Sequence, residues 1–149
     1  RAQLPVALRT HRPLDLVVIM LGTNDMKKRF SLLPVDIAYG AAELGKLVES
    51  YDYGAWYPVP QVLLVSPIEL GEGVENSPFT GFAPEAVEVS RQLAPYFKAQ
   101  AKAHGWHYLN AASVAKPSKK DMLHMEKEDH QALAEALAAQ IRGIFEKEN

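Results

Sequence analysis

Apolar positions follow two rhythms along this chain, and their alternation predicts the fold. From Asp15 to Leu21 the sequence Leu16-Val17-Val18-Ile19-Met20-Leu21 is continuously apolar, and Gln61 to Val65 repeats the pattern. Such short unbroken runs mark strands buried on both faces of a parallel sheet. Trp106-His107-Tyr108-Leu109 predicts a shorter third strand, placed after His104-Gly105, where glycine suits the position just past a helix end.

Longer stretches with helical spacing separate these runs. Ile37, Ala41, Leu44, Val48 and Tyr51 recur at steps of three and four behind Pro34, which suits a first helical turn. After the second strand, Pro84 opens a stripe of Ala86, Val89, Leu93, Phe97 and Ala101, which Pro95 is expected to bend or interrupt near residues 91–95. Leu133, Leu137, Ile141, Ile144 and Phe145 form one side of a closing helix, with Glu126, Glu128 and Asp129 near its positive end.

Strand, loop and amphipathic helix in repetition give a βα rhythm and an α/β fold. Right-handed crossovers advancing in one direction would place the helices on one sheet face and leave the other uncovered. The first strand would present a bare, apolar edge. The chain opens Arg1-Ala2-Gln3-Leu4 without an initiator Met, and the segment to His11 reads as the tail of a helix. The expectation is therefore a single domain over residues 1–149 whose N-terminal strands lie upstream.

Composition narrows the function. With 48% hydrophobic and 23% charged residues the chain is of ordinary globular type, and its formal net charge of −2 offers no footprint for nucleic acid. The absence of cysteine removes disulfides, a thiolate nucleophile and thiolate metal sites, leaving small-molecule chemistry. No apolar run is long enough to span a bilayer, so no membrane partner is expected. The sequence leaves the compartment, cytoplasmic or secreted, undetermined.

Two clusters carry candidate chemistry. Gly22-Thr23-Asn24-Asp25 follows the first buried strand, at the sheet edge where open α/β folds assemble ligand sites. It reads either as a strand-ending turn or as an oxyanion site, with the Asn24 amide donating and Asp25 buried beneath, bonding backbone N–H groups. Asp121-Met122-Leu123-His124 precedes the closing helix. It is either a solvated polar loop or a carboxylate orienting an imidazole, which fixes the tautomer and frees the other ring nitrogen to accept a proton. His130 competes for the role of base but falls within the first turns of the helix. His11, His104 and His107 lack a carboxylate at suitable spacing and are expected to be structural, so no metal and no cofactor is assigned.

Together, the buried strand with Gly22-Thr23-Asn24-Asp25, the run Val62-Leu63-Leu64-Val65-Ser66-Pro67 and the Asp121-x-x-His124 pair resemble the SGNH (GDSL-like) hydrolases, most of all their bacterial aryl-esterase and acyltransferase branch. The resemblance implies a flavodoxin-like three-layer sandwich, of which this chain supplies about three strands and their helices as the C-terminal part of the domain. It also implies serine-dependent hydrolysis of short-acyl or aryl esters, or acyl transfer, with Asn24, Asp121 and His124 as catalytic residues. A homo-oligomer would be compatible with that branch.

The family's Gly-Asp-Ser block and its oxyanion glycine have no counterpart here. None of Ser31, Ser50, Ser66, Ser77, Ser90, Ser113 or Ser118 has a Gly-Asp-Ser context, so the serine is expected from an absent N-terminal segment. Met122 also replaces the glycine usual in the family's Asp–His turn. The stretch Glu69 to Ala83, with Phe79 and Phe82, is expected to lie over the site, and Tyr53, Trp56 and Tyr57 to serve either core or contact. The alternatives are a catalytically inactive binding or scaffold fragment and, less favoured for want of a phosphate loop, a nucleotide-binding flavodoxin-like domain.

Overall fold

The apolar runs do form the strands. In a computed structural model, which describes residues 3–146, β1 (Leu16–Met20), β2 (Gln61–Ser66) and β3 (His107–Asn110) make a parallel sheet in the order β1-β2-β3. Leu16 pairs with Gln61 and Met20 with Val65, while Leu63 pairs with His107 and Ser66 with Asn110. The helices are α1 (Gln3–His11), α2 (Pro34–Ser50), α3 (Glu85–His104) and α4 (Lys127–Glu146). Pro34 opens α2 as expected, and Gly105 ends α3 in a left-handed conformation.

The strand period of two divides the core. Val17, Ile19, Val62, Leu64 and Tyr108 face α1, α2 and α3, packing with Leu8, Ile37, Val48, Leu93 and Phe97. Leu63, Val65 and Leu109 face the other way, against Leu133, Leu137 and Ile141 of α4. Three layers result, and β2, central in the sheet, is buried from Val62 to Ser66.

Two expectations require correction. The second face is covered by this chain's own α4: no further strand follows β3 among the described residues, so the crossover rule does not govern α4, which folds back across the sheet. That cover fails toward β1, where Val18 is 41% exposed and Leu21 53%. In addition, α3 runs without interruption through Pro95, which sits on the solvent side, and Leu93, Phe97 and Ala101 keep the buried stripe in phase.

Tyr53, Trp56 and Tyr57 divide between the two fates. Tyr53 is buried and its hydroxyl donates to the Val48 carbonyl at 2.9 Å, whereas Trp56 is 91% exposed. No helix among the described residues is long and apolar enough to cross a membrane.

Candidate active site

Two turns meet at the C-terminal edge of the sheet. The first leaves β1 through Gly22, whose φ of +129° is open to glycine alone; a Cβ there would stand 3.1 Å from Ile37 Cγ2 and 3.4 Å from Phe97 Cζ. Thr23–Met26 then forms one turn of 3-10 helix, with the Asp25 N–H donating to the Gly22 carbonyl at 3.0 Å. This brings Asn24 to the surface. Its side-chain amide has no hydrogen-bond partner among the described residues and faces a cavity of about 270 Å³.

Asp25 departs from expectation. It is half-buried beside Leu21, Leu32 and Asp36 in a neighbouring cavity, and its carboxylate takes no hydrogen bond from backbone N–H groups among the described residues. The 3-10 turn is closed instead by backbone bonds, from the Asp25 N–H to the Gly22 carbonyl and from the Lys27 N–H to the Asn24 carbonyl.

The second turn is built around Asp121. Its Oδ1 accepts the N–H groups of Leu123 at 3.0 Å and His124 at 2.9 Å, while its Oδ2 lies 2.7 Å from His124 Nδ1. One carboxylate thus closes the turn and orients the ring. Burial alone would raise the Asp121 pKa, but the backbone N–H and ring of His124, with the Leu123 N–H, hold it below the usual carboxyl value. Asp121 keeps only 17% of its side chain exposed against 57% for His124, so the carboxylate is sheltered while the imidazole side chain is largely open.

Met122 takes φ +59°, the left-handed conformation that glycine would adopt freely. For a residue with a Cβ this costs about 1–2 kcal/mol. Two bonds to neighbours hold it: the Met122 N–H donates to the Ser118 carbonyl and its own carbonyl accepts from the Gly71 N–H, both at 2.8 Å. Gly71 must be glycine for a steric reason, since a Cβ would sit 2.9 Å from Met122 Cβ. The replacement of glycine at 122 therefore does not part the Asp121–His124 pair.

The cavity brings the two turns together. Met20, Ile68 and Leu123 give it an apolar side, while Asn24, His124 and His130 give it polar groups. His130 shares the cavity but lies in the first turn of α4 and has no carboxylate partner among the described residues. From the loop between β2 and α3, Phe79 packs edge-to-face on His124 with centroids 4.5 Å apart. The same loop reaches the Asn24 side, where the Gly81 carbonyl accepts from the Lys28 N–H at 2.8 Å.

The remaining histidines lie elsewhere. His11 Nδ1 is 3.0 Å from the Ala7 carbonyl, His104 stacks on Trp106, and His107 Nε2 is 2.6 Å from Gln61 Oε1. Ser66 is fully buried, bonded to Tyr108 Oη and Asn110 Oδ1. No serine lines the cavity among the described residues, nor do these form a group of three or more His, Asp or Glu side chains able to hold a metal. Sequence reasoning passed over Gly71 and Ser118; the only local signal was a serine three residues before Asp121, a spacing common in polar turns.

No family model matches the chain, and no curated protein sequence matches it. Solved structures do. An aryl esterase of M. smegmatis is 36% identical, with a TM-score of 0.86, over 95% of this chain and 66% of that one. A carbohydrate acetylesterase from Sinorhizobium meliloti is 33% identical, with a TM-score of 0.86, over 96% of this chain and 67% of the other. A proposed arylesterase from Agrobacterium tumefaciens is 36% identical, with a TM-score of 0.85, over 96% and 67%. The chain therefore spans about two thirds of the length of these structures, and on this identity and coverage it belongs to the family of aryl esterases and carbohydrate acetylesterases.

Proposed function

We propose that this chain carries the Asn, Asp and His of an SGNH-type serine esterase acting on small carboxylic esters, and that the nucleophilic serine comes from a segment outside its 149 residues. The observation that carries the reading is the Asp121 Oδ2–His124 Nδ1 contact of 2.7 Å on the cavity that Asn24 also lines. A carboxylate on Nδ1 keeps the proton there and leaves Nε2 as a base.

In this mechanism the serine hydroxyl attacks the ester carbonyl while His124 Nε2 takes its proton. The tetrahedral oxyanion receives a hydrogen bond from the Asn24 amide, which donates without bringing charge. Collapse expels the alcohol, protonated by His124, and leaves an acyl-serine. Water, deprotonated by His124, then attacks to release the acid; an alcohol in its place gives acyl transfer. Asp121 steadies the imidazolium in both halves.

The exposed edge of β1 supports the placement of the serine segment. Val17 to Leu21 line an open cavity of about 370 Å³ with Leu4 and Leu44, and a parallel strand seated there would end beside Asn24 and His124. The test is hydrolysis of p-nitrophenyl acetate by the 149-residue chain, alone and mixed with a peptide or domain carrying a Gly-Asp-Ser strand, with His124→Ala as control and intact masses recorded. Turnover that requires both the added segment and His124 supports the reading; turnover unaffected by His124→Ala overturns it. A second reading is a binding or scaffold module, since no serine lines the cavity among the described residues, and inertness of every mixture would favour that module.

A further inference from the structure

His124 is more than half exposed, so the packing of a deep core does not fix its ring. Besides the Asp121 carboxylate, one buried serine bonds to several points of the turn beneath it. Ser118 is 6% exposed, and all of its polar groups are engaged within residues 118–126. Its N–H donates to the His124 carbonyl at 2.6 Å, and its carbonyl accepts the N–H of the left-handed Met122 at 2.8 Å. Its Oγ accepts the Lys120 N–H at 3.0 Å and donates to Glu126 Oε1 at 2.5 Å. Glu126 is in turn tied to the Lys120 ammonium at 2.8 Å.

From this we infer that Ser118 is a positioning residue for the Asp121–His124 pair, an inference that rests on the functional reading above. The backbone of Ser118 joins the middle and the end of the turn, and its hydroxyl joins the beginning to the residue that leads into α4. Asp121 can face Nδ1 only while Met122 stays left-handed. Ser118 is the residue that holds Met122 and His124 at once. A hydroxyl suits the place because it accepts and donates together; alanine would take the acceptor from the Lys120 N–H, leave Glu126 with the Lys120 ammonium alone and free the loop to relax.

The readout is the tautomer of the His124 ring in the chain as it stands, followed by nitrogen NMR, which distinguishes Nδ1–H from Nε2–H. Asp121 holds the proton on Nδ1, and Asp121→Ala should release it toward Nε2, giving the reference for a lost pair. Ser118→Ala should move the same way, lowering the Nδ1–H population about twofold or more, because the tautomer follows the hydrogen bond made by the other atom of the pair. Ser118→Thr, which keeps the hydroxyl, should restore it. If the alanine variant fails to fold, Ser118→Cys, whose sulfur is a weak donor of similar size, is measured in its place. A Ser118 variant with the parent's tautomer, alongside an Asp121→Ala that shifts it, overturns the positioning role and leaves the esterase reading intact. If Asp121→Ala itself changes nothing, the pair is not coupled, and both fall.

Discussion

Asp121 and His124 are held by bonds drawn almost wholly from residues 118–126, whereas Asn24 owes its position to side chains from two helices distant in sequence. On the first side, carboxylate, hydroxyl and backbone groups close a turn that takes from outside it the Gly71 N–H and the Phe79 ring. On the second, Gly22 fits against Ile37 of α2 and Phe97 of α3, and Asn24 rides on the turn that follows. The difference teaches that the Asp121–His124 pair is a largely local device, while the placement of Asn24 depends on the packing of α2 and α3 against the end of β1. Mutations should therefore separate chemistry from stability differently on the two sides.

The largest effect should come from the base. In an active assembly containing the serine, His124→Ala should lower kcat about 10⁴-fold or more, since both acylation and deacylation need the imidazole. His130→Ala should change it only a few-fold, and the reverse ranking in a p-nitrophenyl acetate assay would reassign the base. Asn24→Ala should be the milder break, about 10²- to 10³-fold in kcat, as for the loss of one oxyanion donor. Because the Asn24 side chain is exposed and has no hydrogen-bond partner among the described residues, the same variant should stay within about 0.5 kcal/mol of the parent's stability.

That contrast also explains what could be read from the sequence. The strands were legible because their apolar runs admit few alternatives, and Asn24, Asp121 and His124 because their residue types sit at the sheet edge and in one short turn. The position of α4 was not legible: the crossover rule governs helices between parallel strands and is silent about one that follows the last. Nor could the sequence give the support of Met122, which needs the Gly71 N–H from the loop after β2 and the Ser118 carbonyl. The neighbours of Asp25 in sequence suggest a buried, bonded role, but the turn is closed by backbone bonds and Asp25 is only half-buried.

Steric tests of the two sides come next in size. Gly22→Ala forces a Cβ into a conformation closed to alanine and toward Ile37, and should cost about 1–3 kcal/mol in denaturant unfolding, with loss of activity as Asn24 is displaced. Gly71→Ala presses on Met122 and should cost a similar amount, about 1–3 kcal/mol. Only the latter should disturb the His124 tautomer. If Gly22→Ala disturbs it equally, the two sides are not independent and the comparison fails.

The smallest effect is in the acid limb of stability, and it too should belong to one side. Asp121 has its pKa lowered in the folded chain, so between the folded and unfolded values the unfolded state binds more protons and stability rises with pH. The contribution is complete above the usual carboxyl range and is lost as pH falls through the folded value. Glu126 behaves alike, held low first by the bond from Lys120 and then by the Ser118 hydroxyl, so Asp121 accounts for only part of the limb. Asp121→Asn should thus make thermal melts less sensitive to acid without flattening them, and Glu126→Gln in the same background should reduce the slope further. Gly22→Ala should lower every melting point while leaving the acid slope unchanged, because it alters packing on the Asn24 side and no bond to either carboxylate. An acid limb unaltered by Asp121→Asn would mean that the carboxylate gains nothing from the turn, and the local device would then have to be held by Ser118 and Gly71 alone.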